Sequence, residues 1–244
     1  EEDRRECATV LFCDIVGFTE LSASLSSSAV SAMLDRLFSK FDHLALLHGV
    51  YKLETIGDCY IAVTNLVTPQ PHDHAARMAR FSLGIMQAAR STLVDPDDTA
   101  KGHVVIRAGF DSGPLVGNLV GHRTKKYTVF GNTVNTASRM ESTGLPLHVQ
   151  CTKRAADLLR VQDPAAVVEE RGAVQVKGRG TMLTFFVRDQ GQPEPRLGPQ
   201  SDSEAEAQPR AVPLEPQLRR TSSPPPLDGT LEVVLASPAE LSSD

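Results

Sequence analysis

From Val30 to Leu44 the apolar residues Val30, Met33, Leu34, Leu37, Phe38, Phe41 and Leu44 recur every three or four positions, and a few residues later that spacing gives way to two short runs of β-branched and aromatic residues. The first pattern predicts a helix with one buried face over Ser28–His48. The second predicts a pair of strands. "VYKLETI" and "CYIAV" are rich in Val, Ile, Tyr and Thr, and Gly57-Asp58 between them suits a tight turn. A helix that runs straight into a hairpin needs a sheet to cover its apolar stripe. The flanking segments supply one. Thr9–Ile15 reads as a strand, Asp73–Ser91 as a second helix carrying Ala76, Met78, Phe81, Ile85 and Met86, and Val104–Phe110 as a further strand. The order β-α-β-β-α-β is that of an α+β, ferredoxin-like split βαβ core, an antiparallel sheet backed by two helices on one face. Gly131–Glu141 and Lys153–Arg160 read as short additional helices, and Ala173–Lys177 and Leu183–Val187 as strand pieces.

Composition sets the domain limits. Ten of the sixteen prolines fall after Val187, so residues 1–187 are expected to form the folded domain. Residues 188–244, rich in Pro, Ser, Glu and Gln, are expected to be a disordered tail, because they cannot bury enough apolar surface to offset the entropy of ordering. A net charge of −5 argues against a nucleic-acid partner. Cys7, Cys13, Cys59 and Cys151 have no metal or redox spacing and read as free thiols of a reducing, cytoplasmic compartment. No apolar run approaches the ~20 residues of a membrane span, so this segment is expected to make no direct membrane contact. The chain begins at Glu1 rather than Met, which leaves open that it is the cytoplasmic part of a membrane-anchored parent.

Three groups of polar residues stand out. Asp14 ends the first strand and Gly17 follows it, an arrangement that can hold a divalent cation as readily as cap a helix. Asp58 alone would be turn chemistry at a hairpin tip. In a split βαβ sheet, however, the first strand and the central hairpin are neighbours, so the two carboxylates can converge on one point, as two-metal phosphoryl transfer requires. In "FGNTVNTASRMESTG", Asn135 and Arg139 lie four apart on one helical face, fit to orient a sugar and to neutralise a phosphorane. Arg107 in "VVIRAGF", and Lys177 and Arg179 in "VQVKGRG", form a basic set able to reach a polyphosphate.

"FCDIVGFT", "VYKLETIGDCY", "KYTVFGNTVNTASRMESTGLPLHV" and "VKGRGTMLTFFV", in that order over Ala8–Val187, together resemble the catalytic domain of class III nucleotide cyclases. The similarity is greatest to the eukaryotic guanylate cyclases. The resemblance implies that Asp14, Asp58 and the backbone carbonyl of Ile15 hold two Mg²⁺ or Mn²⁺ ions. It implies that Asn135 orients the ribose, that Arg139 stabilises the transition state, and that Arg107, Lys177 and Arg179 contact the triphosphate. It implies in-line attack of the ribose 3′-hydroxyl on the α-phosphate, with no protein nucleophile. It also implies a site shared across a homodimer or a cyclase heterodimer. One chain gives the aspartates and Arg107; the other gives the base-reading residues, Asn135, Arg139 and Lys177.

Glu54 and Thr128 fall at the positions that would read the base. A glutamate accepts from guanine N1–H and the 2-amino group, whereas adenine N1 presents a lone pair to it. Thr128 stands where eukaryotic guanylate cyclases usually carry cysteine, and its hydroxyl can donate to guanine O6 or accept from an adenine amino group. Glu54 therefore favours GTP over ATP. Two alternatives stay open: an adenylate cyclase, and a non-catalytic partner of another cyclase chain. The segment "RAGFDSGPLVGNLVG" departs from relatives at Asp111 and at Gly117-Asn118, a difference expected to bear on pairing between chains.

Overall fold

The computed structural model describes residues 2–189. The chain runs β1 (Asp3–Ile15), α1 (Phe18–Ala23), α2 (Ser27–His48), β2 (Tyr51–Ile56), β3 (Cys59–Thr64), α3 (His74–Arg90), β4 (Ile106–Val120), β5 (Lys126–Phe130), α4 (Asn132–Ser142), β6 (Val149–Thr152), α5 (Lys153–Gln162), β7 (Val167–Val176) and β8 (Gly180–Arg188). The tail expected from residue 188 lies outside the described residues except for Arg188, which ends β8, and Asp189.

Local chemistry accounts for these elements. Ser26 caps α2 by accepting from the Ala29 amide at 3.2 Å, and Gly49 closes the helix in the left-handed conformation. Met33, Leu37, Phe41 and Ala45, four residues apart, form its buried stripe. The β2–β3 turn places Gly57 at φ +61°, a region a side chain rarely adopts, and Ile56 and Cys59 pair directly across it.

The core of the sheet has the order β2-β3-β1-β4, all antiparallel, as the split βαβ reading expects. Two features go beyond it. β6, β8 and β7 extend the sheet past β4, and β4 pairs with β6 in parallel, so the sheet is mixed rather than antiparallel throughout. β5 doubles back antiparallel on the far half of β4, from Val116 to Val120. The first strand is also longer than its apolar run. Asp3–Arg5 pair with Leu115–Gly117, but their charged side chains hide that pairing from periodicity.

The two faces of the sheet carry different layers. Leu11, Cys13, Ile15, Tyr60, Ala62, Ile106, Ala108 and Phe110 point into the main core with α2, α3 and α5. Phe41 meets Tyr60 edge-on at 5.4 Å, and the Tyr60 hydroxyl donates to Asp42 at 2.8 Å. Val10, Phe12, Val63, Leu115 and Val129 face the other way and pack with Ala137 and Val134 of α4. Gly109 lets α4 approach β4 on that second face, because a Cβ there would lie 2.0 Å from the Glu141 nitrogen. Asp111, one of the departures noted above, is buried on the same face. It accepts from Thr152 Oγ1 and Arg154 Nη2, each at 2.6 Å, so it bonds within its own chain. All four cysteines are unpaired. Among the described residues no helix is long and apolar enough to cross a membrane.

Candidate active site

Asp14 sits at the end of β1, on the α4 face of the sheet, directly opposite Arg107 of β4 in register. That pairing brings them into contact. Arg107 donates through Nε to Asp14 Oδ1 and through Nη2 to Asp14 Oδ2, both at 3.0 Å, the forked geometry that matches guanidinium to carboxylate. Asp58, at the tip of the β2–β3 hairpin, reaches the same strand end: its Oδ2 accepts from the Ile15 backbone amide at 3.2 Å. Asp14, Ile15, Asp58 and Arg107 thus form one cluster. Burial pushes the Asp58 carboxyl above its ordinary value, against the pull of the Ile15 amide, and the Asp14 charge adds to the rise. A cation beside both carboxylates would reverse that shift.

The cluster includes a residue that the sequence did not single out. Glu141, near the C-terminal end of α4 and 10% exposed in its side chain, accepts from Arg107 Nε at 2.7 Å. Burial, then the nearby Asp14 charge and a hydrogen bond to Asp14, raises its carboxyl above the ordinary value, with Arg107 opposing. Burial disfavours the Arg107 charge, yet Asp14 and Glu141 together hold the guanidinium above its ordinary value. A glutamate on a helix with mostly polar neighbours gives no warning in sequence. Its only signal is that, seven residues from Val134 and four from Ala137, it shares the helical face of these two residues, which pack inward.

The donor set suits hard divalent cations. Two carboxylates and a backbone carbonyl are all oxygen ligands, the kind Mg²⁺ and Mn²⁺ take. Among the described residues no group of three or more His, Cys, Asp or Glu side chains is arranged to hold a metal by itself. That fits an ion held by one or two carboxylates and completed by substrate phosphates and water.

The α4 helix presents two faces. Glu141 turns toward Arg107. Asn135 is exposed, and Arg139 half-buried, on another side, because at ~100° per residue Arg139 lies about 200° around the axis from Glu141. The helix is fastened at both ends. Thr133 Oγ1 donates to the Pro114 carbonyl at 2.8 Å near its start, and Arg171 donates to the Thr143 carbonyl at 2.6 Å just past its end. Arg179, on the β7–β8 turn, bonds Asn132 at the first position of α4, while Lys177 is exposed. The basic set is therefore divided: Arg107 belongs to the aspartate cluster and Arg179 to the start of α4.

Glu54 owes its direction to a bulge. β2 pairs Lys52 with Ala62 but Glu54 with Ile61, so Leu53 is an extra residue. Without it, alternation would put Glu54 on the same face as Lys52, which bonds Asp42 of α2 at 2.8 Å. With it, Glu54 turns to the α4 face and forms an ion pair with Lys126 of β5. Lys126 was also missed by sequence reasoning, since either lysine of "TKKYT" reads as an ordinary surface residue. Thr128 lies two residues farther along β5, half-buried, its hydroxyl donating to the Lys126 carbonyl at 3.4 Å.

Known proteins share the sequence and the fold that carry this cluster. Residues 1–189 match the family model described as the adenylate and guanylate cyclase catalytic domain. The chain is 39% identical over 182 residues to the rat guanylate cyclase soluble subunit beta-2, covering 75% of this chain and 26% of that protein. It is 40% identical over 187 residues to human retinal guanylyl cyclase 1, covering 77% of this chain and 17% of that protein. It therefore spans about a quarter or less of the length of these curated relatives. Among solved structures, the guanylate cyclase domain of RhGC from Catenaria anguillulae in complex with GTP superposes with a TM-score of 0.70 at 34% identity, over 76% of this chain and 97% of that one. The chain belongs to the adenylate and guanylate cyclase catalytic domain family.

Proposed function

We propose that the chain is a guanylate cyclase, converting GTP to 3′,5′-cyclic GMP and pyrophosphate at a site completed by a second cyclase chain, either another copy or a related subunit. The observation that carries this reading is the convergence of Asp14, Asp58 and Arg107 on one face, with Asn135 and Arg139 turned to another side of α4. One chain offers the metal-holding half to one nucleotide and the ribose- and phosphate-orienting half to another. Cyclase heterodimers are in keeping with a relative described as a soluble subunit, and cytoplasmic action with a nucleotide substrate and free thiols.

In this reading Asp14, Asp58 and the Ile15 carbonyl hold two Mg²⁺ or Mn²⁺ ions. Bound there, the ions would supply Lewis-acid stabilisation of the attacking and leaving oxygens. Arg107 neutralises the triphosphate once it leaves Asp14. The partner's α4 contributes the equivalents of Asn135, which fixes the ribose, and Arg139, which meets the charge that builds on the α-phosphate. Lys177 and Arg179 add positive charge beside the departing pyrophosphate. The bond from the 3′-oxygen to the α-phosphorus forms as the α–β anhydride bond breaks, and the hydroxyl proton passes to water.

Glu54 supports GTP as substrate. Turned to the α4 face beside Lys126, its carboxylate can accept from guanine N1–H and the 2-amino group. Thr128 favours a second reading with ATP, since its hydroxyl also suits an adenine amino group. A rhodopsin-guanylyl cyclase core of converted specificity, 33% identical, is described in complex with ATPαS. Turnover of GTP and ATP with Mn²⁺ across a protein concentration series separates the readings. Cyclic GMP is expected, with specific activity rising with concentration. ATP turnover equal to or faster than GTP turnover would overturn the base assignment, and no turnover of either would favour a non-catalytic partner.

A further inference from the structure

Arg107 lies across the carboxylate that the proposed reaction needs for a cation. It bonds both oxygens of Asp14, so a cation arriving there competes with two charge-assisted hydrogen bonds. The same Nε also reaches Glu141 at 2.7 Å, a shorter contact than either bond to Asp14. The Glu141 backbone cannot follow Arg107 if it moves, because it is seated on Gly109, where even a Cβ has no room. Gln150 holds the residue before it by donating to the Met140 carbonyl at 3.1 Å.

We propose that Glu141 is a positioning residue for Arg107. It gives the guanidinium a second carboxylate, carried on a fixed stretch of backbone, so that Asp14 can turn its oxygens to a divalent cation while Arg107 stays beside the triphosphate. Without Glu141, Arg107 leans wholly on Asp14 and the cation meets a stronger competitor. The inference rests on Asp14 being a metal ligand, as proposed above.

The test is Mn²⁺ binding to the full chain without nucleotide, followed by the electron paramagnetic resonance signal of free Mn²⁺. Glu141→Gln should weaken binding about tenfold, the scale of one charge-assisted hydrogen bond. In an Arg107→Met background the same substitution should change it by less than about twofold, because the interaction it acts through is gone. Equal weakening in both backgrounds would mean that Glu141 acts on the cation by its charge alone, and would overturn the proposal, as would no weakening in either. Glu141→Asp keeps the charge but shortens the reach; it should behave like Glu141→Gln, and it serves if the glutamine variant does not fold. In turnover, the Mn²⁺ concentration for half-maximal rate should rise while kcat at saturating Mn²⁺ stays within about threefold, a split that general destabilisation does not produce. Asp14→Asn is the control for the premise. Unchanged Mn²⁺ affinity in that variant would remove the metal assignment, and this proposal with it; weakened affinity there, with none of the Glu141 effects, would remove this proposal alone.

Discussion

Gly109→Ala probes the contact on which the whole α4 face depends. Gly109 is the fourth residue of β4, and a Cβ there would lie 2.0 Å from the Glu141 nitrogen and 2.2 Å from the Met140 carbonyl carbon. Both are backbone atoms, so no side-chain rotation relieves the clash. Carbon atoms pack at ~3.5 Å, so α4 would have to retreat by about 1.5 Å. Overpacking of this kind costs about 1–3 kcal/mol, and in a domain of this size that lowers the melting temperature by about 3–10 °C. The functional cost is larger, because α4 carries Asn135 and Arg139, the residues proposed to meet the nucleotide. A misplacement near 1 Å can lower a rate by about 10²-fold. Circular dichroism melts and kcat measured well below the transition separate the two effects. Gly84→Ala, in α3, is the control. Its Cβ would meet only the Leu44 side chain, whose methyl carbons lie 3.3 and 3.4 Å away at a flexible end. The reasoning fails if Gly109→Ala keeps kcat within about threefold of the parent, or harms it no more than Gly84→Ala.

Other expectations concern the base pocket, the hairpin carboxylate and a buried histidine. Because Glu54 pairs with Lys126, Glu54→Lys alone sets two cations in contact and should abolish GTP turnover without raising ATP turnover. Adding Thr128→Asp and Lys126→Ala should bring ATP turnover above GTP turnover; continued preference for GTP would count against the base reading. Asp58→Asn should abolish cyclic GMP formation while leaving the melting temperature at pH 8 no lower than the parent's, since burial makes the ionised Asp58 unfavourable. His74 is buried and its Nδ1 bonds Thr9 Oγ1 at 2.7 Å, and burial lowers its pKa below the ordinary 6.5. The unfolded chain then binds the extra proton below about pH 6.5, so this stability is complete above that value and is lost as pH falls. The melting temperature should drop between pH 7 and pH 5.5, and a His74→Gln variant should show a shallower drop; an equal slope would exclude His74 as the cause.

Much of this could be read in the sequence because its signals were local and redundant. The end of the helical spacing and the β-rich runs around Gly57-Asp58 mark α2 and the hairpin to within a residue or two. The convergence of Asp14 and Asp58 followed from topology, since β1 and β3 pair where a split βαβ sheet requires. What escaped depends on partners distant in sequence. The bulge at Leu53 decides which face Glu54 takes, and strict alternation gives the opposite answer. Lys126 and Glu141 acquire meaning only when β5 folds back over the sheet and α4 settles on Gly109. The parallel pairing of β4 with β6 is set by the crossing of β5 and α4 between them, for which no local motif exists. Arg4, Arg5 and Glu6 conceal the first half of β1 because a strand held by pairing at a charged edge carries no apolar alternation.

The central claim is that each site takes its aspartates from one chain and its Asn135 and Arg139 from another. Mixing two inactive variants tests it most directly. One carries Asp14→Asn and Asp58→Asn; the other carries Asn135→Ala and Arg139→Ala. If both sets serve sites at a shared two-fold interface, random pairing makes about half the dimers mixed, each with one intact site, and the mixture recovers about a quarter of the parent's cyclic GMP formation. A mixture as inactive as its components, in which mixed dimers are shown to form, would place the two sets in the same chain and contradict the account.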